Sequence, residues 1–206
     1  WGLSADRDVF SLDEMVGAFD IVNVNPNPAR FDQKKADAIN ASHIRLLDPA
    51  DFLNRLIPYL QSAGILGATV SDAEQAVLAE AAPLIQERIT VLGEAPDMLG
   101  FLFKTADQIV IEDDARAGLP ENAAEIATAA AAKLDGVSDA DFKTEHIQEL
   151  LNSLLIEQMQ LKPRVAFGPL RTAISGRRIS PPLFESMQIL GKGETIARLK
   201  GFAASA

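Results

Sequence analysis

The chain of 206 residues contains no cysteine and only two histidines, His43 and His146. The absence of cysteine excludes disulfides, thiolate metal sites and a cysteine nucleophile. The two histidines lie far apart in the sequence, and neither has a second ligand at the spacing of a metal site. We therefore expect no metal site in this chain.

Long apolar runs and a targeting segment are also lacking. No stretch approaches the roughly 18 to 20 apolar residues that span a bilayer, and the start has no charged region followed by an apolar one. These absences predict a cytoplasmic protein with no membrane partner. Because the first residue is Trp1 rather than methionine, and residues 1–3 resemble the end of an apolar element, we expect the chain to be part of a longer one.

Strand patterns are nearly absent, and only Val110-Ile111 favours an extended conformation. Ser11 and Ser71 are each followed three residues later by glutamate, which is the pattern of a helix-starting capping box. Pro83 is expected to kink or split its helix. Helices are predicted from Ser11 to about Asp20, Asp32 to Leu47, Asp48 to near Gly64, Ser71 to Ile89, Pro96 to Phe103, Glu121 to Leu134 and Thr144 to Met159, with a connector at 23–28. The sequence therefore predicts an all-α, multi-helix array.

Positive charge is scarce except at the C-terminal end. The net charge is −10, which taken alone argues against a nucleic-acid partner. Residues 162–206, however, carry eight basic and two acidic residues, a net charge of +6, which leaves −16 for the rest. Because salt screens charges over about 8 Å, this local patch can still face phosphate groups. The competing interpretation is a basic, solvated tail.

Residues 169–191, "PLRTAISGRRISPPLFESMQILG", predict two helices that meet at a loop. The loop carries Arg177, Arg178 and Ser180. It suits single-stranded RNA, because loop backbone groups can bond base edges, apolar Pro181 and Leu183 can pack on base faces, and arginine can pair with phosphate.

The alternative is that this stretch is only a helix pair with a core and a solvated surface. We accept it for the apolar side chains, which have the spacing of a core. We reject it for the arginines, because their charges would then repel each other without a partner.

The same residues carry a family resemblance. "PLRTAISGRRISPPLFESMQILGKGETIARL" closely resembles the C-terminal end of bacterial glutamyl-tRNA synthetases, and "FSLDEMVGAFD" with "ARFDQKKADAINASHIRLL" resembles the family's segment around Phe31, Asp32 and Asn40. Ala38 stands where many members have tryptophan, and His43 where many have tyrosine. The resemblance covers essentially the whole chain and is weakest over residues 103–160.

The resemblance implies the tRNA-recognition part of such an enzyme. Residues 1–47 would end the stem-contact domain, and residues 48–112 and 113–206 would form two small helical anticodon-binding domains. The signatures of the family's catalytic half are absent from these residues, so we expect no catalytic residue and no cofactor here. ATP and Mg²⁺ would be bound by the part of the enzyme outside this chain.

The resemblance also implies which residues read the anticodon. Arg171 would read bases together with Ser180, Pro181 and Leu183, and Arg88 would read the third anticodon base. An arginine fork offers two parallel donors that match paired acceptors on a base, which lysine does not.

The other basic residues are expected to contact phosphates, which set affinity without sequence preference. Arg177 and Arg178 are the first candidates. The remaining candidates are Lys162, Arg164, Lys192 and Lys200.

The predicted partner is therefore tRNA rather than DNA or a membrane, and the family implies a monomer. The enzyme would bind either the glutamate-accepting tRNA alone, or both the glutamate-accepting and the glutamine-accepting tRNA. One alternative is a helical protein-interaction module whose basic end binds an acidic partner. A self-contained enzyme is disfavoured, because acid pairs such as Asp113-Asp114 and Asp139-Asp141 are typical of helix caps and solvated loops.

Overall fold

A computed structural model describes residues 7–24 and 30–205. Within these residues the chain forms ten α-helices, the last of them kinked at Gly191, where the backbone is not helical, and no strand, which confirms the predicted all-α class. The helices are α1 (Leu12–Ala18), α2 (Gln33–Arg45), α3 (Pro49–Ser62), α4 (Asp72–Gln86), α5 (Ala95–Leu99), α6 (Asp113–Ala117), α7 (Ala123–Asp135), α8 (Thr144–Leu151), α9 (Pro163–Ser175) and α10 (Leu183–Ser205).

The starts of the first four helices follow from local capping chemistry. Both predicted capping boxes form, at Ser11 and at Ser71, with reciprocal hydrogen bonds to the glutamate three residues later. Asp32 caps α2, and Asp48 caps α3. Most of the predicted connector at 23–28, and the first three residues, lie outside the described residues.

Three predicted helices differ in detail from those observed. Pro83 does not divide α4, because it lies on the exposed side, where water can solvate the carbonyl of Ala79 that loses its partner. The predicted helix 96–103 becomes α5 and a 3₁₀ turn from Gly100, where an added Cβ would lie 2.9 Å from Ile65 Cδ1. The predicted helix 144–159 becomes α8 and a π-helical segment over 152–158.

The buried apolar side chains form one continuous cluster from α2 to α10. α3, α4 and α5 pack together at one end of it, and α7, α9 and α10 pack together at the other. By contrast, α1 has no buried residue, and Leu12, Val16, Ile21 and Val22 of the N-terminal segment are exposed.

Arg198 of α10 joins the two ends of the core. Its side chain is fully buried. It donates from Nη1 to the carbonyl of Ile174 (2.6 Å), from Nη2 to the carbonyls of Phe101 (3.1 Å) and Lys104, and from Nε to the carboxylate of Glu194 (2.8 Å). Burial lowers the pKa of Arg198, and Glu194 acts in the opposite direction. This positive charge is therefore internal.

Candidate nucleic-acid interface

The loop between α9 and α10 begins at a glycine that no other residue could replace without strain. Gly176 has a φ of 77° and ends α9, as its sequence position predicts. A Cβ at this position would lie 2.3 Å from the carbonyl oxygen of Val110. The backbone N–H of Glu112 donates to the carbonyl of Gly176 (2.9 Å), so the loop is held against the segment that precedes α6.

Arg171 is joined to the far end of the same loop. Its Nη1 donates to Ser180 Oγ (2.6 Å), to the Ser180 carbonyl (3.2 Å) and to the Pro181 carbonyl (2.8 Å). Among the described residues, its Nε and Nη2 donate no hydrogen bond. Three of the predicted site residues therefore form one unit, with one edge of the guanidinium fixed and the other edge available to a ligand.

Arg88 lies close to this unit, although it comes from a different part of the chain. It is exposed, in the turn that follows α4. Partial burial lowers the pKa of Arg171, the positive charge of Arg88 lowers it further, and Glu185 acts in the opposite direction. The structure thus brings together the two arginines that the family resemblance assigns to anticodon bases.

The turn that carries Arg88 is fixed to α2. Asn40 Nδ2 donates to the carbonyl of Thr90 (2.5 Å), and Gln86 Nε2 donates to the carbonyls of Ile44 (3.0 Å) and Leu47 (2.9 Å). Sequence reasoning noted Asn40 only through the family resemblance and missed Gln86. Asn40 and Gln86 are each more than 35 residues away along the chain from the residues that they bond. No local spacing pattern therefore pointed to these contacts.

The apolar residues of the loop are arranged differently from the prediction. Pro181 and Leu183 are buried. For Leu183 this burial agrees with the interpretation that the apolar side chains form the core of a helix pair, whereas for Pro181 it does not agree with the predicted packing on a base face. The exposed apolar side chain of the loop is Ile179, which is 76% exposed and which sequence reasoning missed.

Arg177 has partners within the chain. Its Nη1 donates to the carbonyl (2.7 Å) and the carboxylate (2.9 Å) of Asp97, and its Nε pairs with Glu112 (2.9 Å). Burial alone would lower the pKa of Arg177, but Asp97 and Glu112 raise it above its ordinary value. The argument that the arginines of this end lack a partner is therefore wrong for Arg177, and it is wrong for Arg198.

Arg178, the next residue, is exposed and forms no ion pair with any described residue. On one side it borders a groove of about 320 Å³ between α6 and α9, where Arg164 and Arg171 also lie and no acidic residue does. Arg178 also lines, together with Arg177, a depression of about 280 Å³ that includes the carboxylates of Glu94, Asp97, Glu112 and Asp114. Arg178 therefore borders one depression without carboxylates and one with four.

The other predicted phosphate contacts also differ in availability. Lys162, Arg164 and Lys200 are exposed. Lys192 donates from Nζ to the carbonyl of Asp135 (2.8 Å) and so is partly engaged.

In the described part of the chain, no three histidine, cysteine, aspartate or glutamate side chains are arranged to hold a metal ion. None of the described helices has the length and apolar character that crossing a membrane requires.

Comparison with known proteins adds a family and a set of relatives. A family profile described as "Anticodon binding domain" matches residues 51–203. The glutamate–tRNA ligase of Leifsonia xyli subsp. xyli is 60% identical over 205 residues, which are 100% of this chain and 42% of that protein. The glutamate–tRNA ligase of an Arthrobacter species is 58% identical over 202 residues, which are 98% of this chain and 40% of that protein.

A solved structure shares the fold. It is a glutamate tRNA ligase from Elizabethkingia meningosepticum in complex with its amino acid, with a TM-score of 0.75 and 24% sequence identity. The match covers 95% of this chain and 37% of that one. The chain therefore spans about two fifths of the length of the relatives that it matches.

Proposed function

The chain belongs to the anticodon binding domain family, and we propose that it recognises the anticodon loop of a tRNA as part of a glutamate–tRNA ligase. One observation carries this proposal: Ser180 and Pro181 hold one edge of the Arg171 guanidinium by hydrogen bonds, while its Nε and Nη2 donate none to the described residues. The alternative of a protein-interaction module is not supported, because the relatives are tRNA ligases.

Arg171 is suited to reading a base because part of its guanidinium is already held. Three acceptors on Ser180 and Pro181 fix Nη1, so little side-chain freedom is lost when a ligand binds the remaining donors. Two parallel N–H groups match the paired acceptors of a base edge, and a mismatched base leaves them unsatisfied at a cost of about 1–3 kcal/mol. Arg88 would act in the same way on the third anticodon base.

Pro181 and Leu183 would contribute through the shape and backbone of the loop, since their side chains are buried. Arg178, with Arg164, would contact phosphates, because both are exposed and share a groove without carboxylates. Arg177 would brace the loop against Asp97 and Glu112 rather than serve as a main phosphate contact.

In the complete ligase, the joining of glutamate to tRNA with ATP and Mg²⁺ would be carried out by residues outside this chain. The enzyme would act in the cytoplasm as a monomer. It would bind the glutamate-accepting tRNA alone, or the glutamine-accepting tRNA as well. How tightly the third anticodon base is held would decide between these two specificities.

The test is a titration of the 206-residue chain with RNA stem-loops that differ at one anticodon base at a time. We expect the stem-loop with the glutamate anticodon to bind most tightly, and Arg171→Ala and Arg88→Ala each to remove the preference at one base. Arg45→Ala, a change of an exposed arginine at the end of α2, is the matched control and should leave the preferences unchanged. Equal binding of all stem-loops by the unmodified chain would refute the proposal.

A further inference from the structure

The groove between α6 and α9 contains an aromatic side chain that anticodon reading, as proposed above, does not use. Phe167 lines this groove together with Leu119, and Arg164, Arg171 and Arg178 lie around it. Phe167 is half-buried, and it packs edge-to-face against Phe184 with ring centroids 5.4 Å apart and planes at 87°. The ring is therefore held in place while part of it faces the groove.

An aromatic ring surrounded by arginines is the composition of sites that bind single-stranded nucleic acid. Stacking on an aromatic ring is available to every base, because every base has a π face, and arginine supplies the charge that holds the phosphate. At about 320 Å³, the groove is at the lower end of the roughly 300 to 1,000 Å³ that small-molecule pockets occupy. Its size suits one nucleotide rather than a duplex.

Charge favours this groove over the depression beside it. The groove lining includes three arginines and no acidic residue. The second depression that Arg178 lines includes four carboxylates, only partly compensated by Arg177. Because screening limits these effects to about 8 Å, the groove would attract a phosphate, whereas the carboxylates of the second depression would repel one.

The groove is also continuous with the proposed reading site, since Arg171 belongs to both. A strand whose base contacts Arg171 would therefore reach the groove with its next nucleotide. We propose that the groove binds one nucleotide that flanks the anticodon, with its base against Phe167 and its phosphate between Arg164 and Arg178. This inference rests on the proposed binding of an anticodon loop.

Tryptophan fluorescence tests the stacking directly. The sequence has one tryptophan, Trp1, so Phe167→Trp combined with Trp1→Phe confines the signal to the groove. We expect an anticodon stem-loop to quench this emission. Among stem-loops that each lack one loop base, the quenching should be lost for one that lacks a base next to the anticodon, and it should persist for those that lack an anticodon base.

A second variant tests the groove without altering its ring or its charges. Gly168 lines the groove, and a Cβ added there would have no neighbour within 4 Å, so Gly168→Leu would occupy the groove without disturbing the core. Because stacking of one base contributes appreciably to binding, we expect at least about fivefold weaker binding of the stem-loop, with the anticodon preference retained. Gly201→Leu is the matched control, since Gly201 is also helical with open space at its Cβ, and should not change the affinity.

The outcomes separate this inference from the proposed function. Binding with the expected anticodon preference, but without quenching or without an effect of Gly168→Leu, would overturn the groove assignment alone. The assignment is also overturned if quenching depends on an anticodon base or on no single base. Binding without any anticodon preference would instead overturn the proposed function.

Discussion

Arg177 and Arg178 are adjacent in the sequence, yet their charges are compensated to different degrees. Arg177 forms ion pairs with Asp97 and Glu112, which compensate its charge. Arg178 forms no ion pair with the described residues and borders a groove without carboxylates. The charge of a segment, counted along the sequence, therefore differs from the charge that it can offer to a ligand.

Arg198 is the extreme case of a compensated charge, and its removal should have the largest effect. Arg198→Met would leave the carbonyls of Ile174, Phe101 and Lys104 and the carboxylate of Glu194 without their donor. We expect the free energy of unfolding to fall by about 3–5 kcal/mol, as for other buried charges that lose a partner. Urea denaturation measures this. The control is Lys200→Met, an exposed change on the same helix. Equal stability of the two variants would contradict the stabilising role of the buried Arg198.

Gly176→Ala should have the next largest effect, because it disturbs the loop that carries Arg177 and Arg178. The new Cβ would meet the carbonyl of Val110, and the left-handed backbone would be strained. We expect a loss of about 1–3 kcal/mol in the free energy of unfolding. Thermal unfolding checks this against Gly193→Ala, where the added Cβ has no neighbour within 4 Å. A loss no greater than that of this control would show that the loop has no such constraint.

Arg177→Ala should mainly reduce stability. The partners are partly exposed, so each ion pair contributes little, and we expect a loss of about 1 kcal/mol in the free energy of unfolding. Arg178→Ala should leave stability unchanged within about 0.5 kcal/mol, since its side chain is exposed. Denaturation of both variants under one condition measures the difference. A larger loss of stability for Arg178→Ala than for Arg177→Ala would contradict the proposed difference between the two arginines.

Asn40→Ala should have the smallest effect, confined to one base. The change removes the hydrogen bond that holds the Thr90 carbonyl, and with it part of the support of the Arg88 turn. One hydrogen bond contributes about 1 kcal/mol, so we expect up to about fivefold less discrimination at the base proposed for Arg88. Ser42→Ala, which removes a hydrogen bond within α2, is the control for stem-loop titrations. Equal loss of discrimination at the bases proposed for Arg88 and Arg171 would show that Asn40 acts on the fold as a whole.

Much of the fold could be predicted because its signals are local. The capping boxes at Ser11 and Ser71 and the glycine that ends α9 each depend on a few neighbouring residues. The 3₁₀ turn at Gly100 had no local signal: the close neighbour of Gly100 is Ile65, which comes from another part of the chain.

The candidate site was predictable only in part. The resemblance pointed to Arg88 and Arg171, and the structure brings them together. The compensation of Arg177 depends on Asp97, which lies 80 residues away. Burial of Leu183 likewise depends on the packing of distant helices. Tertiary contacts of this kind have no signature in local spacing. Which basic residues keep a charge that a ligand can use could therefore be found only from the structure.

The most direct test of this account is the salt dependence of stem-loop binding by Arg177→Met and Arg178→Met. A lysine or arginine that contacts a phosphate releases counterions, so its loss should reduce the slope of log affinity against log salt by about one. We expect this reduction for Arg178→Met and an unchanged slope for Arg177→Met. Equal slopes for the two variants would contradict the claim that neighbouring arginines differ in the charge they present to RNA.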